Sequence, residues 1–131
     1  MLLSILLLIV IIVLMIYNKT NIHYIYGKIS KNNIDIKTGL MYRKNKLKHN
    51  EGMLFLMKDT YNSMWMKNTY IPLDIIFLHD MVVVGYIQDT VPLSEKSLSI
   101  NKKSNAVLEM NAGSIQNYNI LIGDIIEFIE Y

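Results

Sequence analysis

The chain has no cysteine. Disulfides, thiol catalysis and cysteine-based zinc sites are excluded with it, and cysteine usage says nothing about redox compartment. Proline occurs twice, tryptophan once and arginine once, against twelve lysines and an excess of Ile, Asn and Tyr. This resembles an AT-rich coding bias, under which the rare types mark positions where geometry or chemistry resists substitution: Arg43, Trp65, Pro72, Pro92, Ala106, Ala112 and six glycines. Concentrated charge of one sign is missing too. The formal net charge is +2, and the densest basic spots are Arg43 to His49 and Lys102-Lys103. A nucleic-acid surface wants more charge with aromatics interleaved, so that class is set aside. His23, His49 and His79 lie far apart without ligand spacing, so no metal site is expected. Neither a phosphate-cradling glycine loop nor a Ser-His-Asp pattern is present, and no cofactor is implied.

One long apolar run is present. "MLLSILLLIVIIVLMIY" is apolar from Met1 to Tyr17 except for Ser4. A bilayer-spanning helix needs about 20 residues and a signal-peptide core about 7–15, and this segment falls between them. With no charged residue before it and no A-x-A cleavage pattern after it, residues 1–17 are read as an uncleaved single-pass transmembrane anchor. A cleaved signal and a helix buried in a soluble core are the alternatives. Residues 18–26 read as a tether running into a first strand, and residues 27–131 as the domain. Asn18-Lys19-Thr20 spells a glycosylation sequon too close to the membrane to be used.

After the anchor, "NNIDIKTGLMYRK" carries apolar residues at helical spacing, with Asn32 or Asn33 as cap and Gly39 inside it. From Gly52 the period becomes that of strands. "GMLFLMKD" and "SMWMKNT" alternate, the second placing Ser63, Trp65, Lys67 and Thr69 on one face. "LDIIFLHD" is continuously apolar, a strand covered on both faces, and "MVVVGYIQDTV" returns from a tight turn at His79-Asp80. "AVLEMN" alternates with Val107, Glu109 and Asn111 together. "AGSIQNYNILIGD" gives a short helical turn, and "DIIEFIEY" a last strand. The fold class is mainly β (α+β): a compact antiparallel, partly closed barrel-like sheet with two short helices.

These motifs run in a specific order: "GLMYR", "GMLF", "WMKNTYIPLDIIF", "VLEMNAG" and "IGD". Together they resemble the domain of unknown function 192 family over Ile29 to Phe128. Met64 stands where an aromatic is usual, and "HDMVVVG" lacks the usual turn glycine. The resemblance implies a small, mostly β domain often carried behind an export signal, and it implies no reaction. Lys19, Lys28, Lys31 and Lys37 after the apolar run would keep the domain cytoplasmic by the positive-inside rule. The family habit of export places it on the non-cytoplasmic side, which is the reading taken.

The polar motif residues are Arg43, Lys67, Asn68, Thr69, Asp74, Glu109 and Asn111, and Arg43, Trp65, Lys67, Asn68, Asp74 and Glu109 form the candidate ligand-binding set. Arg43 has a planar fork of donors suited to carboxylate, phosphate or sugar, and Trp65 a flat wall. Asp74 and Glu109 would be the acid and base of a hydrolase of envelope polymers. A structural reading pairs the same residues, Arg43 with Glu109 and Lys67 with Asp74. Met41, Met53, Met57, Met64, Met66 and Met110 read as adaptable core filler rather than as soft Cu(I) ligands. The functional expectation is a membrane-anchored binding or accessory module for a small polar ligand, glycan or protein partner. The alternatives are the hydrolase and a purely structural membrane-assembly component. The exposure of Trp65 and the separation of the carboxyls discriminate among them.

Overall fold

The computed structural model describes residues 1–17 and 19–131. The apolar run forms α1 (Leu2–Tyr17), and none of its residues is buried, which removes the core-helix alternative. No described helix is long and apolar enough to cross a membrane. Its 16 residues reach about 24 Å at about 1.5 Å per residue, short of the hydrocarbon thickness of about 30 Å. The single-pass span expected from composition is therefore not supported. Of the expected tether and sequon, Asn18 lies outside the described residues.

The domain begins with β1 (Ile22–Ser30) and α2 (Asn33–Thr38). The Asn32 side chain caps α2 by accepting the Asp35 N–H, satisfying one of its orphan donors. Gly39 ends this helix rather than lying within it: its φ of 47° belongs to the left-handed region that glycine enters without strain. A Cβ there would also approach the Phe55 ring at 3.2 Å. The remaining strands are β2 (Glu51–Thr60), β3 (Ser63–Met64), β4 (Leu73–His79), β5 (Val82–Ile87), β6 (Leu98–Ser99), β7 (Ser104–Asn111) and β8 (Ile125–Glu130), with α3 (Ser114–Asn117) before the last.

Six of these strands close into a barrel in the order β1-β2-β7-β4-β5-β8, while β3 and β6 pair as a separate ribbon. The expected antiparallel sheet is thus fully closed, and it is not antiparallel throughout. β1 runs parallel to both β2 and β8, and the chain between β1 and β2, with α2 in it, makes the crossover that such pairing requires. Gly27 and Gly52 face each other in register on β1 and β2. A Cβ on Gly27 would fall 1.8 Å from the Gly52 carbonyl oxygen, so the closure depends on a residue without one.

Alternation assigns the two faces. Leu54, Leu108 and Ile76 form one cross-strand row and belong to the core that also holds Ile25, Leu78, Met110 and Ile126. Phe55, Val107 and Phe77 form the next row and face the other way, under α2 and the β3/β6 ribbon, in a cluster with Ile36, Met64 and Leu98. β4 is covered on both faces, as its unbroken apolar run predicts. The methionines fill different layers: Met110 lies in the first core, Met66 under the chain before β4, and Met57 and Met64 on the second face.

Candidate functional site

The next row on the outer face is Met53, Glu109 and Ile75, across β2, β7 and β4. Glu109 is therefore a carboxyl in the middle of an apolar surface, only 5% exposed. Burial pushes its pKa from 4.5 up to about 8, because a charge there lacks solvent. Among the described residues nothing hydrogen-bonds the carboxyl, and no other group offsets its desolvation. Every fully buried side-chain polar atom there has a partner, so the carboxyl must reach the space above it. That space is a crevice of about 20 Å³ whose walls include the apolar Phe55, Met64 and Trp65 and the polar Lys37, Thr38 and Thr69. One water-sized group fits, since a cavity needs about 10–15 Å³ to hold one.

Trp65 also forms the side of an open groove of about 230 Å³ with Ser63, Met64, Glu95 and Ser97. The Ser63 and Ser97 hydroxyls hydrogen-bond each other there. Trp65 is 37% exposed. The Lys67 ammonium stands 5.1 Å from its ring centroid, within cation–π range, and 3.7 Å from Glu95. The strand expected through "SMWMKNT" ends at Met64. Beyond it the chain turns, with Met66 and Thr69 buried and Asn68 at a φ of 53°, a conformation asparagine tolerates better than most residues. The lysine and tryptophan still meet, through a turn rather than a strand face. Asn68 braces that turn by donating to the Tyr42 hydroxyl at 2.9 Å.

Other sequence-predicted groups lie apart. Asp74 stands opposite Met110, one residue out of step with Glu109, so the two carboxyls occupy opposite faces of the sheet. Asp74 is fully buried and accepts the Asp89 and Ile115 N–H groups at 3.0 and 2.9 Å. It fastens β4 to the start of α3. The two carboxyls of the expected hydrolase cannot flank one bond. Neither expected ion pair forms: Lys67 turns to Glu95, and Arg43 to Glu51 at 3.5 Å rather than to Glu109.

Arg43 lies in a different cavity, of about 190 Å³, with Lys28, Gly39, Leu47, Glu51, Gly52 and Tyr131. Glu51, missed from sequence, is its buried anchor: it accepts the Lys48 N–H at 3.2 Å and the Tyr131 hydroxyl at 2.9 Å. The hydrogen bond to Glu51 holds the Tyr131 phenol above its ordinary pKa. Asn111, one of the polar motif residues, positions the loop before β2 instead of joining Glu109. Its side chain accepts the Leu47 N–H at 2.9 Å and donates to the Leu47 carbonyl at 2.7 Å, as a neighbouring strand would. The only hint of Glu51 in the sequence is its place beside the motif glycine Gly52.

A family model matches residues 15–128, that of DUF192, described as Uncharacterized ACR. The chain belongs to the DUF192 family. Two crystal structures resemble this DUF192 chain. One is of a protein of unknown function from Novosphingobium aromaticivorans, 36% identical, with a TM-score of 0.72, over 76% of this chain and 71% of that one. The other, from Sinorhizobium meliloti, is described as a "putative transcription regulator"; it is 33% identical, with a TM-score of 0.72, over 76% of this chain and 78% of that one. No curated protein matches this DUF192 chain significantly.

Proposed function

We propose that this DUF192 domain is a binding module for a hydroxyl-rich small ligand, a glycan unit being the best fit. The observation that carries the reading is Glu109, a buried carboxyl with no hydrogen-bond partner among the described residues, at the floor of a one-group crevice. Near neutral pH it is protonated, and such a carboxyl both donates and accepts. A hydroxyl does the same, so one sugar hydroxyl satisfies it without ionising it. The adjoining groove supplies the rest: Trp65 gives an apolar platform, and Ser63, Ser97 and Glu95 give a polar rim. A sugar hydroxyl seated on Glu109 takes the place of the one water-sized group the crevice admits.

The module is further proposed to be held at a membrane by α1, with the domain on the non-cytoplasmic side. What supports the attachment, though not the side, is a helix apolar all round with no buried residue, since such helices belong in a core or a bilayer. A deficit of about 6 Å in length is tolerated by local thinning at fractions of a kcal/mol per Å.

Trp65 is the only tryptophan, so its emission reports on the groove alone. Titrating the full chain, in neutral detergent, with a panel of neutral mono- and disaccharides should give saturable emission changes with at least one sugar. Glu109→Leu should abolish them while leaving the protein folded. No response to any sugar, or an unchanged response in Glu109→Leu, refutes the reading. For α1, the full chain should float with lipid vesicles and residues 19–131 should not; equal flotation of the two refutes attachment through the helix.

A further inference from the structure

The cavity around Arg43 has a charge pattern that the Glu109 crevice does not use. Its lining carries two cationic side chains, Lys28 and Arg43, and one carboxylate side chain, Glu51. That carboxylate is already engaged by the Lys48 N–H, the Tyr131 hydroxyl and, at 3.5 Å, an Arg43 nitrogen. It does not consume both cations. Lys28 is exposed, and its ammonium makes no ion pair among the described residues, where Arg43, Lys67 and two histidines do.

Arg43 is positioned rather than quenched. Its Nε donates to the Asn45 carbonyl at 2.9 Å and its Nη2 to Glu51. Of the five N–H donors of a guanidinium, those two are spent. The Nη1 pair and the second Nη2 hydrogen make no hydrogen bond among the described residues, and paired guanidinium N–H groups match a carboxylate's two oxygens. Gly39 and Gly52 bring their backbone to the cavity wall. A volume of about 190 Å³ is below the range of about 300–1,000 Å³ usual for drug-sized ligands, so it admits one small acid.

We propose that the Lys28–Arg43 cavity is a second binding site, taking the carboxylate of a small organic acid. A carboxylate brings one negative charge and two coplanar oxygens to these two cations, whereas a phosphate dianion brings a second negative charge beside Glu51. Arg43 supplies the fork, Lys28 a second cation at the rim, and Glu51 with Tyr131 the fixed back wall that aims Arg43. The site is separate from the Glu109 crevice. Gly39 and Leu40 wall both, so the two lie on either side of the turn that ends α2.

The test is a titration of the full chain in neutral detergent with sodium acetate at constant ionic strength, followed by the Arg43 Nε–H and the Gly39 and Gly52 amide resonances. Saturable shifts of all three are expected, weakened more than tenfold by Arg43→Gln and about threefold by Lys28→Gln. Lys28 is exposed, so its variant keeps the melting temperature of the parent and reports on binding even if Arg43→Gln destabilises the loop. Lys102→Gln, in the exposed turn before β7, should titrate as the parent does. A linear, non-saturating response, or equal affinities in the parent and Lys28→Gln, overturns the site. Saturation by inorganic phosphate and not by acetate overturns the carboxylate assignment.

Discussion

Replacing Glu109 by glutamine should remove a pH dependence from the stability of the whole domain. The unfolded chain ionises this carboxyl near 4.5, and the folded chain only near 8. Below pH 4.5 both states hold the proton, and the fold carries no penalty. As pH rises, the unfolded state releases its proton while the folded state keeps it, so stability falls by about 1.36 kcal/mol per pH unit. The loss is about 3 kcal/mol at pH 7 and about 5 kcal/mol once pH passes the folded value. Against a typical total of about 5–15 kcal/mol this is large. Glutamine has nearly the same shape and does not titrate. The assay is urea unfolding of both proteins at intervals from pH 4 to pH 9, read as the difference between them. Taking the difference cancels whatever the two proteins have in common. The two curves should meet near pH 4.5 and separate steadily to about pH 8, with Glu109→Gln the more stable. A difference that stays constant from pH 5 to pH 8 would falsify the buried, unpartnered state of Glu109, and with it the basis of the crevice reading.

Three further perturbations test the frame that holds the two cavities. Gly27→Ala places a Cβ where only 1.8 Å separates it from the Gly52 carbonyl oxygen; a loss beyond about 4 kcal/mol is expected, seen as missing cooperative melting by circular dichroism, and a normal melt would refute the closure argument. Asn111→Ala removes both hydrogen bonds to Leu47 and should cost about 2–3 kcal/mol; hydrogen exchange at the Leu47 amide should quicken more than at β7, and unchanged protection there would show that the loop is held by other contacts. Burial pushes the Asp124 carboxyl up, but hydrogen bonds from His23, Leu121 and Asn21 and the His23 charge bring it below its ordinary value. Its stabilisation is thus present above pH 3.8 and lost on acidification through the lower folded value. Asp124→Asn should be less stable than the parent at pH 6, with the gap closing below pH 3.8; a gap that persists at pH 2 would count against the ion pair with His23.

The sequence was legible where the physics is local. An unbroken apolar run identified β4 as covered on both faces, and alternation in "AVLEMN" placed Val107 and Glu109 on one side of β7 before any pairing was known. It was not legible where partners are distant. Nothing within "IHYIYGKIS" reveals that β1 lies parallel between β2 and β8, because that register is set by chain closure and not by periodicity. The same limit separated the candidate residues. Arg43 and Trp65 are 22 positions apart and both rare, which made one shared pocket the natural expectation. Gly39, by ending α2, sends the following turn between them and leaves Arg43 with Glu51 on one side and Trp65 with Glu109 on the other. Asp74 shows why residue type alone misleads: a carboxyl in a motif reads as chemistry, yet two backbone N–H groups fill it. Glu109 looks the same in sequence, and what distinguishes it is the absence of any such donor in its row of apolar neighbours.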